Sequence, residues 1–334
     1  MEYYNFEEVI IEDRSDFALK ALEKFLKGQD LDLDENLDYT IILYDNDKII
    51  GSGSFKKNIL KCIAISDDYK GFGISNKIIS GLVNEQYRRG YSHIFIYTKP
   101  KNGAIFRDFG FYDIESVGDK VLLLENKKNG IEKYCNELIK ETPKYEGDKV
   151  AGIVANCNPF TLGHRFLIEK ASKENDLVHL FILWEDESKF SNKARYEMVR
   201  EGITDLHNVV LHKAKDYIIS SATFPSYFIK EKNDVLSIQA ILDSKIFAKY
   251  IAKPLNITKR YVGTEPFSKS TEEYNKQMKR VLNENNIKLM EVPRKEFLDE
   301  EISASKVRKL LEEKQFEYVK ELVPITTYKY LLNM

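Results

Sequence analysis

The feature that most restricts the fold is a regular alternation of strand-like and helical segments after residue 149. Five apolar runs have the composition of buried strands: VAGIVA, LVHLFILW, NVVLH, RYVGT and IKLMEV. Helical patterns alternate with them near residues 163–174, 193–204, 235–251 and 271–285, and two further helices are expected at the C-terminal end. Apolar strands that alternate with helices predict a parallel sheet covered by helices on both faces. Ligands of such α/β folds bind at the carboxyl ends of the strands.

The first part of the chain follows a different pattern. Residues 39–66 contain apolar runs broken by Asp-Asn-Asp and Gly-Ser-Gly, which is typical of a meander of antiparallel strands, and helical spacing then appears at residues 75–89. A length of 334 residues exceeds the usual size of a single hydrophobic core. We therefore predict an α+β domain at residues 1–130 and an α/β domain at residues 149–334, joined by a charged linker at residues 131–148.

Composition excludes several classes of protein. The 51 basic and 53 acidic residues are mixed along the chain, so neither nucleic acid nor an anionic membrane is an expected partner. The N-terminal residues mix acidic with apolar side chains, and no apolar run approaches the length of a membrane span, which predicts a cytoplasmic protein. Cys62, Cys135 and Cys157 are far apart and have no His at ligand spacing, so we expect reduced thiols and no metal site built from protein side chains.

The stretch NCNPFTLGHRFLIEKA, residues 156–171, lies where the first strand of the α/β domain is predicted to turn into a helix. The free N–H groups at such a helix start face the carboxyl edge of the sheet and attract phosphate. Gly163 allows the backbone to approach a ligand closely, while Thr161 and His164 add a hydroxyl and a ring N–H. Taken alone, this pattern is more often a simple helix cap at Thr161 followed by an ordinary polar His164.

Two motifs in this domain resemble those of the nucleotidyltransferase superfamily. The (His/Thr)-x-Gly-His motif corresponds to NPFTLGH at residues 158–164, and the Ile-Ser-Ser-Thr-x-x-Arg motif corresponds to ISASKVR at residues 302–308. The resemblance implies a Rossmann-like catalytic domain that binds ATP, with Mg²⁺ bridging the phosphates. It assigns catalytic roles to Thr161, His164 and Arg308. It assigns ATP and phosphate contacts to Asn158, Phe160, Gly163, Ser303 and Ser305. Ala304 departs from the motif, because it lacks the usual hydroxyl.

Other residues of this domain are predicted to complete the pocket. Gly263, Thr264 and Glu265 follow the fourth strand and are expected to contact adenosine. Arg195, at a predicted helix start, is interpreted as an exposed residue in preference to a phosphate contact. The segment ATFPSYF has two interpretations that stay open, a pocket for the acyl group and pantetheine or an apolar core. The pocket interpretation assigns its lining to Thr223, Ser226 and Tyr227.

The first domain resembles the GNAT acetyltransferases. Residues 67–79, DDYKGFGISNKII, resemble the loop whose backbone amides hold the pyrophosphate of coenzyme A, with Gly71 and Gly73 in matching positions. Two departures bear on activity, since Asp68 replaces a Gln or Arg, and Phe106 replaces a Tyr that acts as general acid, which a phenyl ring cannot do. We therefore expect a GNAT-like fold that binds a CoA-like or pantetheine-like group, and not one that transfers acetyl from acetyl-CoA.

A GNAT-like domain followed by a nucleotidyltransferase domain resembles the citrate lyase ligases over nearly the whole chain. This resemblance implies that acetate is activated with ATP as acetyl-adenylate, with release of diphosphate. It further implies transfer of the acetyl group to a thiol on citrate lyase acyl carrier protein, the gamma subunit, with release of AMP. That thiol belongs to a phosphoribosyl-dephospho-CoA group. Two alternatives stay open: an adenylyltransferase acting on nicotinate mononucleotide or phosphopantetheine, and a non-catalytic sensor of nucleotide and acyl-CoA.

Overall fold

The computed structural model describes residues 6–12, 16–35, 37–184, 188–219, 224–230, 232–264, 269–298 and 300–333. The chain divides by its internal contacts into two compact units, Met1–Gly130 with Pro225–Ile238, and Ile131–Phe224 with Gln239–Met334. The fold class predicted from the sequence is confirmed, since the first unit is GNAT-like and the second is Rossmann-like with a parallel sheet. Within the described ranges, none of the helices combines the length and hydropathy needed to span a bilayer.

The first unit is built on a seven-stranded sheet. Its strands are β1 (Glu7–Ile11), β2 (Tyr39–Asp45), β3 (Lys48–Lys56), β4 (Ile59–Ile65), β5 (Phe95–Thr98), β6 (Tyr112–Val117) and β7 (Val121–Glu125). Its helices are α1 (Asp16–Gly28), α2 (Ile74–Arg88) and α3 (Gly103–Asp108). The strand order is β1-β2-β3-β4-β5-β7-β6, and only the β4–β5 pair is parallel. That pair is hydrogen-bonded only at Ile59↔Phe95 and Leu60↔Ile96, so the two strands separate beyond it and leave a cleft.

The second unit is built on a five-stranded sheet in which every pair is parallel. Its main strands are β8 (Val150–Ala155), β9 (Leu177–Ile182), β10 (Val209–Lys213), β11 (Lys259–Gly263) and β12 (Lys288–Val292), and a small ribbon adds β13 (Glu296–Phe297) and β14 (Glu300–Glu301). Its helices are α4 (Gly130–Glu141), α5 (Leu162–Glu174), α6 (Asn192–Gly202), α7 (Lys232–Ile246), α8 (Lys269–Glu284), α9 (Ala304–Glu312), α10 (Phe316–Leu322) and α11 (Ile325–Leu332). The part of α7 before Gln239 is grouped with the first unit.

The order of the parallel strands fixes where a ligand can bind. It is β10-β9-β8-β11-β12, so the chain winds outward from β8 in one direction and then from β11 in the other. The carboxyl ends of β8 and β11 therefore form the switch point at which open α/β sheets bind their ligands. Successive residues of a strand point to opposite faces of the sheet, and helices pack on both faces here. Tyr261 donates a hydrogen bond to Glu174 of α5 at 2.7 Å, whereas its neighbour Arg260 donates to Asp243 of α7 at 3.2 Å.

The structure differs from the sequence-based organisation in three places. Residues 131–148, predicted as a linker, include most of α4, whose Tyr134 and Leu138 are buried in the second unit. Residues Pro225–Ile238 pack with the first unit, although the sequence places them in the α/β domain. The two helices expected at the C-terminal end are three, α9, α10 and α11.

The three cysteines are free and buried. Cys62 and Cys157 are 0% exposed and Cys135 is 7% exposed. Burial raises the pKa of each thiol to about 12. The thiols are therefore protonated at neutral pH and have little nucleophilic reactivity.

Candidate active site

The turn after β8 carries the first of two helix starts that build the site. Thr161 caps α5, because its Oγ1 accepts a hydrogen bond from the His164 backbone N–H at 3.3 Å. In return, His164 Nδ1 accepts a hydrogen bond from the Thr161 backbone N–H at 3.1 Å and lies 2.8 Å from Thr161 Oγ1. The capping role that the sequence suggested for Thr161 is therefore present, and the same bonds fix the His164 ring at the start of α5.

These bonds also determine the tautomer of His164. Because Nδ1 accepts a hydrogen bond, the proton of the neutral ring is on Nε2, which leaves Nε2–H as a donor for a ligand. Burial lowers the pKa of His164 to about 4, and the positive charge of Arg294 adds to this effect. The half-buried ring is therefore a neutral hydrogen-bond donor at physiological pH.

The second helix start belongs to α9. Ser303 caps it, with Oγ accepting a hydrogen bond from the Lys306 backbone N–H at 3.1 Å. Arg308 donates from Nη2 to Ser305 Oγ at 2.9 Å and from Nη1 to the Asn158 carbonyl at 2.6 Å. The guanidinium of Arg308 thus ties α9 to the turn that follows β8.

The two helix starts lie against each other. A Cβ added to Gly163 would lie 2.9 Å from the carbonyl oxygen of Ile302, the residue that precedes the Ser303 cap. Among the described residues, the hydrogen bonds of the Arg308 guanidinium go to neutral oxygens, and the carboxylate of Glu312, four residues further along α9, interacts with it through charge alone. Two positively polarised helix starts with a guanidinium between them can hold a polyanionic phosphate chain.

The other side of the switch point is formed by the ends of β11 and β12. Among the described residues, no atom lies within 4 Å of the place that a Cβ of Gly263 would take. The Thr264 N–H donates to the Val292 carbonyl at 2.9 Å, and its own carbonyl accepts from Arg294 Nε at 2.8 Å. Arg294 Nε also lies 3.6 Å from a carboxylate oxygen of Glu301. Glu265, predicted to contact adenosine, lies outside the described residues.

Phe160, Thr223, Ser226 and Tyr227 are also among the predicted site residues. Phe160 is completely buried in the core, and its ring centroid lies 6.2 Å from that of His164, so it supports that ring and the predicted contact with phosphate is wrong. Ser226 and Tyr227 pack with the first unit, where Ser226 is exposed and Tyr227 is buried. Thr223 lies outside the described residues.

The cleft between β4 and β5 of the first unit has a volume of about 550 Å³. Its walls include Ala64 of β4, Tyr97 of β5, Gly71, Phe106 and Tyr227. Gly71 and Gly73 have positive φ angles of 89° and 76°, which glycine adopts without strain. Gly73 precedes α2 without any side-chain cap, so the first N–H groups of that helix have no side-chain acceptor at the cap position. The cleft can hold an extended ligand with a phosphate at the α2 end.

Sequence reasoning missed one arginine at the site and misjudged another. Arg294 was not singled out, although it is the second residue after the last parallel strand, and that position alone places a residue at the ligand-binding edge. Arg195, interpreted as exposed, is 0% exposed and donates from Nη1 to the Asn156 carbonyl at 2.9 Å. Its position three residues before the buried Met198, on the same face of α6, is the sequence signal for burial.

A doubly wound parallel sheet with these two helix starts at its switch point defines a nucleotidyltransferase-type enzyme, here joined to a GNAT-like unit. Residues 150–331 match the citrate lyase ligase C-terminal domain family. The citrate (pro-3S)-lyase ligase of Haemophilus influenzae is 43% identical over 94% of this chain and 95% of its own. That of Klebsiella pneumoniae is 38% identical over 94% of this chain and 93% of its own. The chain belongs to the citrate lyase ligase family, and it is therefore an enzyme.

Two solved structures resemble single parts of the chain. An acyl-CoA N-acyltransferase from Pseudomonas aeruginosa is 11% identical, covers 37% of this chain and 100% of its own, and has a TM-score of 0.33. Thermotoga maritima TmcAL bound with alpha-thio ATP is 16% identical, covers 55% of each chain and has a TM-score of 0.32. TM-scores this low do not establish a common fold, so the fold assignment depends on the strand orders given above.

Proposed function

We propose that this enzyme uses ATP to join acetate to the thiol prosthetic group of citrate lyase acyl carrier protein, releasing AMP and diphosphate. The observation that carries the proposal is the contact between the starts of α5 and α9, with Arg308 bonded to both the Asn158 turn and Ser305. The names of the relatives, which are citrate (pro-3S)-lyase ligases, support the choice of acceptor.

ATP would bind at the switch point of the parallel sheet. The triphosphate would lie between the helix starts at Gly163 and Ser303, where it meets N–H groups from both helices. The adenosine would lie along Gly263 and Thr264, because no atom of the described ranges occupies the space beside Gly263. Glu265 remains assigned to this part of the site.

Mg²⁺ would enter with the triphosphate. Across the described ranges, no group of three or more His, Cys, Asp or Glu side chains is arranged to hold a metal ion. Mg²⁺ commonly keeps several waters and binds through substrate phosphates, which fits a site that is rich in N–H donors and cations. When bound, it would neutralise charge on the phosphate tail.

The chemistry proceeds in two displacements. First, a carboxylate oxygen of acetate attacks the α-phosphorus of ATP, and the bond from that phosphorus to diphosphate breaks. Negative charge grows on the phosphoryl and diphosphate oxygens, which His164 Nε2–H and the Arg308 guanidinium would stabilise. Second, the carrier thiol attacks the acetyl carbonyl, releases its proton and displaces AMP. Neither displacement requires a covalent bond to the chain.

The first unit would hold the thiol arm of the carrier. Its 550 Å³ cleft is in the size range of small-molecule sites, and the turn at Gly71 and Gly73 offers N–H groups to a pyrophosphate. Phe106 is 5% exposed and cannot donate a proton, which supports a binding role for this cleft. Tyr227 would contact the arm as part of the cleft wall, in place of the pocket assigned to it beside the nucleotide.

The decisive experiment is exchange of labelled diphosphate into ATP in the presence and absence of acetate. We expect exchange that depends on acetate, because the first displacement is reversible without the carrier. Arg308→Lys should lower the exchange rate by about a hundredfold, since a lysine cannot reach Asn158 and Ser305 with one planar group. Arg280→Lys, at an exposed position of α8, is the matched control and should leave the rate unchanged.

Other outcomes would contradict the proposal in distinguishable ways. In one such outcome, exchange does not need acetate but needs the dinucleotide that adenylylation of a phosphorylated small molecule would produce. That outcome would identify an adenylyltransferase. Nucleotide binding with no exchange under any condition would identify a sensor. Equal rates in Arg308→Lys and Arg280→Lys would remove Arg308 from the catalytic residues.

A further inference from the structure

Arg195 of α6 is among the largest completely buried side chains of the chain. Because Arg195 is 0% exposed, it cannot touch a ligand directly and can act only through the residues that it contacts. Burial of a guanidinium is costly unless its N–H groups find acceptors.

The acceptors of Arg195 belong to two different loops. Nε donates to the Phe190 carbonyl at 3.2 Å, in the loop between β9 and α6. Nη1 donates to the Asn156 carbonyl at 2.9 Å and to Asn156 Oδ1, in the turn between β8 and α5. One planar group thus joins the two loops from within.

The same loops are connected to the second helix start. The Phe190 backbone N–H donates to Asn158 Oδ1 at 3.2 Å, and Arg308 donates to the Asn158 carbonyl at 2.6 Å. A continuous set of hydrogen bonds therefore runs from Arg195 through Phe190 and Asn158 to Arg308. The short segment from Asn156 to Thr161 carries the α5 cap, so its position depends on these bonds.

We propose that Arg195 is a positioning residue that holds the turn after β8 so that the α5 and α9 starts face one phosphate chain. The proposal rests on the proposed function, because it takes this turn as the nucleotide site. A lysine at 195 would keep the charge but has one nitrogen, so it cannot bond to both loops in the geometry of a guanidinium.

The test compares Arg195→Lys with Arg260→Lys. Arg260 is 3% exposed in the same unit, and its Nη2 donates to Asp243 on α7 at 3.2 Å. Both variants should lose thermal stability. Only Arg195→Lys should also lower kcat/KM for ATP in the exchange assay, by about ten- to a hundredfold, because a misplaced phosphate turn weakens transition-state contacts.

A second readout needs no nucleotide. Cys157 lies in the turn itself and is 0% exposed, whereas Cys62 and Cys135 are buried elsewhere. Labelling with a thiol reagent, followed by peptide mapping, gives the rate at each cysteine. In Arg195→Lys we expect Cys157 to label about ten times faster than in the unaltered protein, with no comparable change at Cys62 or Cys135.

The outcomes separate this inference from the proposed function. Unchanged labelling of Cys157 in Arg195→Lys, or the same increase in Arg260→Lys, would overturn the positioning role. An equal increase at all three cysteines would indicate global loosening and would also overturn it. Absence of acetate-dependent exchange in the unaltered protein would instead contradict the proposed function, while the labelling comparison would still decide the role of Arg195.

Discussion

His164 is expected to act as a neutral donor, because its pKa is lowered to about 4 and its Nδ1 is occupied by Thr161. His164→Ala removes the donor, whereas His164→Gln keeps an amide N–H near the position of Nε2. We expect acetate-dependent exchange to fall by about two to three orders of magnitude in the alanine variant and by clearly less in the glutamine variant. Initial rates of exchange measure both effects.

The ionisation of the same residue can be observed directly. An NMR titration should give the His164 ring a midpoint near pH 4. The exchange rate should therefore show no fall near pH 6.5 that is caused by protonation of His164. A His164 midpoint near 6.5 would show that the ring is neither buried nor capped as described.

Gly163 is required for the close approach of the two helix starts. In Gly163→Ala the new methyl group would lie 2.9 Å from the Ile302 carbonyl oxygen, which is backbone and cannot rotate away. We expect the KM for ATP to rise about tenfold or more and the free energy of unfolding to fall by about 1–3 kcal/mol. Gly263→Ala, whose new methyl group meets no described atom within 4 Å, is the control and should keep its melting temperature. Equal melting shifts in the two variants would refute the steric argument.

At the scale of elements, the sequence predicted most of the helices and strands that have a clear local pattern of apolar residues. The expected helix near residues 163–174 is α5 at Leu162–Glu174, and the run VAGIVA is β8 at Val150–Ala155. The segment after residue 130 was missed because its many charges suggested a linker. Yet Ile131, Tyr134, Cys135 and Leu138 are all buried, at the spacing of one helix face, so the signal for α4 was present.

Helix α4 is therefore expected to stabilise the second unit. Tyr134 donates to the Lys213 carbonyl at 3.0 Å and stacks on Tyr217 with ring centroids 5.2 Å apart. A fragment of residues 149–334 exposes these partners, whereas a fragment of residues 130–334 keeps them covered. We expect the shorter fragment to be less stable by several kcal/mol, since each large buried side chain contributes about 1.5–3 kcal/mol. Denaturant unfolding of both fragments measures the difference, and equal midpoints would show that α4 is dispensable.

At the scale of the whole molecule, sequence reasoning reached the two fold classes but not the path of the chain between them. Residues Pro225–Ile238 return to the first unit, where Tyr227 lines the cleft. No local periodicity encodes such a return, because it depends on contacts between residues far apart in sequence. Phe160 illustrates the same limit within the site. Its motif predicted a ligand contact, whereas packing against the core decided its orientation.

The second unit should lose stability in acid. Burial lowers the pKa of His179 to about 3 and that of His164 to about 4, and it also lowers the pKa of His212. These rings gain protons on unfolding, so their stabilising contribution is complete above about pH 6.5 and is lost progressively as the pH falls below it. Trp184, the only tryptophan, lies in this unit and reports its unfolding.

A paired substitution tests this expectation. His179 Nδ1 lies 2.9 Å from His212 Nε2, so both rings must be replaced together to avoid leaving a buried nitrogen without a partner. The double variant His179→Phe with His212→Phe should show a shallower loss of stability between pH 6.5 and 4 than the unaltered protein, as followed by Trp184 fluorescence. An identical pH dependence in the two proteins would show that these rings do not carry the acid sensitivity.

Burial of the cysteines has a consequence for the proposed chemistry. Acyl-adenylates react with any ionised sulfur they meet, and an enzyme that makes one risks modifying itself. With thiol pKa values raised to about 12, only about one in 10⁵ of the cysteine thiols would be ionised at neutral pH. The incoming carrier would then supply the reactive sulfur, and none of the three thiols of the enzyme would compete with it for the acetyl group.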